Sequence, residues 1–257
     1  MLDLQGYGPG IFSGALITIQ LAVYALFIAV VLGLITAIAK HSGGKLANLF
    51  ATAYTSVVRG VPDLVLMMLI FFGLQVGLND LSEWLYELHE TYAINDFYIA
   101  QGWDTLSAFY DDGLYISIDE FSAGVITIGF IFGAYMAETF RGALLSVDAG
   151  QIEAATAYGM PESKIFRRIM FPLMMRFALP GIGNNWLVLV KTTALVSVIG
   201  LSDMVKLAKD AATQTFEPFL FFIPVALVYL AITTVSEIAL KYLEIRYNRG
   251  VEGHSHV

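Results

Sequence analysis

The chain has 257 residues, 57% hydrophobic and 14% charged, with a mean hydropathy of +0.70 and a formal net charge of −8. A water-soluble domain carries charge on roughly a quarter of its residues, so these totals exclude an ordinary soluble enzyme and point to a helical integral membrane protein. There is no cysteine, which excludes disulfides, thiolate metal sites and cysteine nucleophiles.

Residues 1–10 contain no Lys or Arg, and the apolar run after them is too long for a signal-peptide core, so no cleaved leader is expected. Residues 11–39 form the first predicted span, uncharged and closed by Lys40, His41 and Lys45. As a helix it would be about 43 Å long, enough to cross a bilayer with tilt. Residues 46–58 mix small, polar and aromatic side chains and predict an interfacial helix. Arg59-Gly60-Val61-Pro62-Asp63 marks a backbone break, and the second span runs over 61–78.

Residues 79–120 are strongly acidic, from Asp80 and Glu83 to Asp119 and Glu120, and hold no Lys or Arg. Leu81, Trp84, Leu85, Leu88 and Tyr92 recur at helical spacing, so part of this loop is predicted as an amphipathic helix. The third span covers 121–140. It contains Gly129-Phe130-Ile131-Phe132-Gly133, a small-xxx-small pattern that permits close helix packing. The fourth span covers 173–201, with an interruption expected at Pro180-Gly181-Ile182-Gly183 and Lys191 inside it. Residues 202–217 read as a short polar connection. The fifth span covers 218–240 with a kink expected at Pro224, and the tail from Lys241 is polar.

Lys and Arg fix the expected orientation. They cluster after the first span (Lys40, Lys45, Arg59), after the third (Arg141, Lys164, Arg167, Arg168, Arg176) and after the fifth (Lys241, Arg246, Arg249). These segments are therefore expected in the cytoplasm, with the amino terminus and the acidic loop outside and the carboxyl terminus inside.

The cytoplasmic loop 141–172 holds the most distinctive stretch, 148–172. Asp148 with Gln151 three residues on has the form of a capping box. Gly159 suits the left-handed end of a first helix, and Pro161 the first turn of a second, which Pro172 closes. Glu162 near the start of that second helix and Arg167 and Arg168 near its end complement the dipole. Three readings fit a helix–Gly–helix between two spans: a folded connector, a helix-turn-helix reading DNA, or a docking element for a cytoplasmic partner. Two short tethers to the membrane argue against DNA.

Glu153-Ala154-Ala155, Gly159 and Ile169-Met170-Phe171-Pro172 resemble the EAA–Gly–Ile–x–Leu–Pro loop of binding-protein-dependent ABC importer permeases, with Phe171 replacing the usual Leu. Arg59-Gly-Val-Pro-Asp63, Gly133-Ala-Tyr-Met-Ala-Glu-Thr-Phe-Arg-Gly142 and Leu179-Pro-Gly-Ile-Gly-Asn184 extend the resemblance to the polar amino acid subfamily. Within it, Arg59–Met67 and Phe166–Phe171 are most similar to the Q-type permease of histidine/lysine/arginine/ornithine importers. The acidic loop is longer than that family implies.

The resemblance implies an all-α integral membrane fold of about five spans, the type I ABC importer (MetI-like) permease fold, as one domain over 1–257 in the bacterial inner membrane. It also implies a transport subunit rather than an enzyme. The chain lacks a phosphate-cradling loop, since Gly44-Lys45 is followed by Leu46. Energy would come from an ATP-binding cassette ATPase dimer, with Glu153, Ala154, Ala155 and Gly159 as the coupling residues. A second, M-type permease and a periplasmic amino-acid-binding protein complete the implied assembly. The implied cargo is a basic amino acid (histidine, arginine, lysine, ornithine), with glutamine, glutamate or an opine as alternatives. A stand-alone secondary transporter is the rival outside ABC transport.

Charged and polar groups inside spans are candidates for the substrate path, because burial there is costly. Glu138 pairs with Arg141 within one helix or meets a cationic group. Asp63 caps the second span or contacts a basic substrate. Lys191, beyond Asn184 and Asn185, snorkels, pairs with Glu138, or holds a substrate carboxylate. No cofactor, metal or nucleic acid is expected. His254 and His256 have metal-like spacing but are two ligands on a mobile tail.

Overall fold

The computed structural model describes residues 4–91 and 118–247, all helical or connecting segments. The acidic stretch 92–117 and the tail from 248, with His254 and His256, lie outside the described residues. Among the described residues nine α-helices follow in order: α1 (Gly8–Ser42), α2 (Lys45–Gly60), α3 (Asp63–Thr91), α4 (Glu120–Leu145), α5 (Ala149–Ala157), α6 (Glu162–Ile165), α7 (Phe171–Thr192), α8 (Met204–Thr215) and α9 (Pro218–Tyr247). A π-turn over Phe166–Met170 joins α6 to α7, and a 3₁₀ stretch over Thr193–Ile199 continues α7.

Among the described residues five runs are long and apolar enough to cross a membrane: Gly8–His41, Asp63–Trp84, Glu120–Leu145, Glu162–Ile199 and Pro218–Tyr247. The second span outlasts its expected end at 78, because α3 continues to Thr91 through residues read as the start of the loop helix.

α4 is the central helix. Ile128, Ile131, Phe132, Met136 and Ala137 are fully buried, and α1 lies along them with Ala25, Ala29 and Ala37 turned inward. Lipid offers little driving force for helix association, so close packing through small residues must supply it. A Cβ built on Gly33 of α1 would stand 2.5 Å from Met136 Cβ and 3.0 Å from the Met136 carbonyl carbon. One built on Gly129 of α4 would stand 2.7 Å from Ile28. Overpacking of this kind costs about 1–3 kcal/mol. Gly33→Ala should accordingly lower the melting temperature of the purified protein, and an unchanged melting curve would refute the seam.

α3 and α9 differ in kind. Leu69, Phe72 and Val76 on α3, and Leu227, Leu230, Val235 and Ile238 on α9, are exposed. Those faces meet bilayer or another apolar surface.

Two expectations fail at prolines. Pro172 does not close a helix: it is the second residue of α7, and the π-turn carries helical backbone directly into it. Nor does Pro180-Gly181-Ile182-Gly183 end α7, which runs through it with Pro180 in its interior. Those glycines serve packing, since Cβ atoms would stand 2.6 Å from Thr139 at Gly181 and 3.1 Å from Leu240 at Gly183. The connection 202–217 is largely α8, with Met204, Ala208, Ala211 and Ala212 buried at helical spacing.

Candidate functional site

Two turns of α4, Tyr135 to Arg141, bring together polar groups from four helices. Glu138 is the centre. Its Oε1 lies 2.5 Å from Lys40 Nζ of α1, and its Oε2 lies 3.6 Å from Arg141 Nη1 one turn on. Lys40 Nζ also donates to Thr55 Oγ1 of α2 at 2.5 Å. The Lys40 side chain is only 8% exposed, and that of Glu138 25%, so water does little to solvate either charge. Glu138 thus makes the expected bond to Arg141, but its shorter contact is with Lys40. It does not pair with Lys191.

Asp63 and Asn185 join the same region. Asp63 stands in the first turn of α3, where the helix dipole favours a carboxylate. Its Oδ1 accepts from Tyr135 Oη at 3.5 Å, and the Arg59 guanidinium lies 5.6 Å from the centre of the Tyr135 ring, within cation–π range. Asn185 Nδ2 donates to Thr139 Oγ1 at 3.0 Å. The structure therefore gathers Asp63, Glu138 and Asn185 around α4 and leaves Lys191 apart. Six residues beyond Asn185, about 9 Å along the helix, Lys191 is exposed and has no ion pair among the described residues. Asn184 and Val188 share its exposed stripe. An exposed ammonium in a membrane span needs an aqueous or protein neighbour rather than lipid.

The second candidate region is α5 and α6. The Asp148 carboxylate caps α5 by accepting from Gly150 N at 3.0 Å, while the Gln151 side chain returns no bond among the described residues. The helix ends in a Schellman motif: Met160 N donates to Ala155 O at 3.1 Å and Gly159 N to Thr156 O at 2.9 Å. Gly159 has φ +72°. The unit is anchored to the chain by two buried side chains, Ala155 and Ile165. Glu153 and Ala154 are exposed, as are Arg167 and Arg168. Of the four residues read as the coupling surface, Ala155 faces inward, while Glu153, Ala154 and Gly159 are exposed. The sequence reading passed over Tyr158. Its ring is 89% exposed beside Gly159, and a bare aromatic at a helix end is an interface signal that needed no structure to suspect.

Residues 29–249 match the family described as binding-protein-dependent transport system inner membrane component. The chain is 48% identical over 249 residues to the histidine/lysine/arginine/ornithine transport system permease protein HisQ of Escherichia coli (strain K12), covering 97% of this chain and 98% of that protein. It is 35% identical over 237 residues to the arginine ABC transporter permease protein ArtQ of the same organism, covering 92% and 94%. A chain from the crystal structure of an amino acid ABC transporter with histidines superposes with a TM-score of 0.72 at 30% identity, covering 95% of this chain and 97% of that one.

Proposed function

Because the chain belongs to the family of binding-protein-dependent transport system inner membrane components, we propose that it carries basic amino acids inward and takes its driving force at α5. It is a permease subunit of an ABC importer, with the type I (MetI-like) fold. It is not the enzyme of that importer: ATP hydrolysis belongs to a separate subunit, and a second permease and a binding protein complete such a system.

Near-full-length identity to a permease named for histidine, lysine, arginine and ornithine is the observation that carries the substrate reading. The distribution of Lys and Arg supports an external amino terminus, an external acidic loop and a cytoplasmic carboxyl terminus. That orientation puts the 141–172 loop on the cytoplasmic side, where the exposed Glu153, Ala154 and Tyr158 would meet the ATPase. The second permease is read as a different, M-type chain, and the binding protein as an amino-acid-binding one.

Bond saturation orders the substrate-path candidates. Glu138 is held by Lys40 and Arg141, and Asn185 by Thr139, so both serve the fold first. Asp63 keeps spare acceptor capacity beyond one long bond to Tyr135. Lys191, exposed and without an ion pair among the described residues, is the group we assign to a substrate carboxylate. Losing one charge-assisted hydrogen bond costs about 1.5–3 kcal/mol, or about 10- to 100-fold in affinity. Lys191→Met should weaken uptake by about that factor with the ATPase still bound, and unchanged uptake would remove Lys191 from the path.

The substrate class is tested by competition in proteoliposomes holding both permeases, the ATPase and the binding protein. Arginine, lysine, histidine and ornithine should each suppress uptake of the others. Uptake indifferent to all four would overturn the basic-substrate reading.

A further inference from the structure

At the end of the bundle opposite α5 lies a buried carboxyl that the transport reading does not use. Asp203 is 1% exposed. It caps α8, its Oδ1 accepting from Lys206 N at 2.9 Å, while its Oδ2 is buried with no hydrogen-bond partner among the described residues. The start of α8 is pressed on α1: a Cβ built on Gly14 would stand 2.6 Å from Met204 N and 2.8 Å from Asp203 C. From α9, Tyr229 lies within electrostatic range of Asp203, and its hydroxyl is 3.5 Å from Thr193 Oγ1 in the 3₁₀ stretch. The α1 hydroxyl in this neighbourhood, Thr18, is 2% exposed.

No cation neutralises Asp203 by an ion pair among the described residues. Lys206, on its own helix, turns its Nζ to Gly200 O at 2.6 Å. Tyr229 is the titratable group facing it from α9. α1 and the 3₁₀ stretch contribute the uncharged Thr18 and Thr193. From α4, Glu120 reaches the neighbouring Gly200 and adds a like charge.

We propose that Asp203 is a proton-operated latch, which when protonated holds the start of α8 closed against α1 and α9 and when ionised weakens that junction. The chemistry follows from the orphan oxygen. Ionised, Oδ2 is an unpaired buried charge, which is costly; protonated, it is a neutral hydroxyl that can donate. Burial pushes the Asp203 carboxyl up to about 6, against the Lys206 and Val205 amides that pull it down. A carboxyl raised in the closed state favours closure below its ordinary range and loses that contribution as pH climbs through about 6. An open state exposing Asp203 to water would therefore gain roughly tenfold over the closed state between about pH 5 and pH 7. On the orientation proposed above, that proton comes from the external compartment.

The test is hydrogen–deuterium exchange of residues 201–215 in the intact transporter, corrected for the intrinsic pH dependence of exchange. Native protection should fall roughly tenfold from about pH 5 to pH 7. Asp203→Asn and Asp203→Ser, both competent helix caps, should each show flat protection. A native profile without pH dependence overturns the latch with no variant needed. So does a pH slope that persists in either variant. Basic-substrate uptake can fail its own competition test without moving this readout, so the two readings are separable.

Discussion

Transport should be lost, with the chain still inserted in the membrane, when Gly159 is replaced by valine. The reason is backbone geometry rather than space. Gly159 adopts φ +72°, yet a Cβ built there meets nothing within 4 Å. The left-handed region costs an ordinary L-residue roughly 1–2 kcal/mol, and a β-branched one is a severe outlier there. Valine would remove the αL turn that lets Met160 N and Gly159 N reach Ala155 O and Thr156 O. Without those bonds the end of α5 unwinds, and Tyr158, Ala154 and Glu153 no longer share one surface. The substitutions should rank asparagine mildest, alanine intermediate and valine worst, because asparagine tolerates αL. The measurement is ATPase co-purification together with uptake. Normal values of both in Gly159→Val would remove α5 as the coupling site.

The largest effect on stability should come from Lys40→Met. That change leaves Glu138 with Arg141 alone, at 3.6 Å and with Arg141 44% exposed. Breaking a buried ion pair from one side costs about 3–5 kcal/mol, whereas replacing both partners by apolar groups is often neutral. Lys40→Met and Glu138→Met should each be strongly destabilised, and the double variant should regain most of the loss. The cycle is read from thermal unfolding of the four proteins in one detergent. Additive losses would mean that Lys40 and Glu138 act independently, contrary to the geometry. Rescue would also separate folding from transport: a stable double variant that still imports substrate would place Glu138 in the scaffold and outside the path.

Spans were readable because composition alone reports them, and five apolar runs became five long helices. Local caps were readable where one side chain acts on its own neighbours, as Asp148 does on Gly150. Prolines and glycines misled because their meaning depends on what lies across the interface. Gly181 looked like a helix break and is the place where Thr139 comes close. α8 was missed because a span-by-span reading treats polar stretches as connections. Its signal was present in Asp203 as cap and in Met204, Ala208, Ala211 and Ala212. The Lys40–Glu138 bond joins residues 98 positions apart, a distance no local pattern spans. Both residues sit near the ends of spans that run the same way, a match of depth that the sequence offers but that a span-by-span reading does not use to pair them.

The run from Glu162 through the π-turn, α7 and the 3₁₀ stretch to Ile199 is continuous over 38 residues, about 57 Å at the α-helical rise. Its points of give are the π-turn, Pro180 and the 3₁₀ stretch within it, and the left-handed Gly159 and Gly200, φ +72° and +108°, beyond its two ends. On the coupling proposed above, a push delivered beside Gly159 would reach Lys191 along this run. Gly200 opens directly onto Asp203.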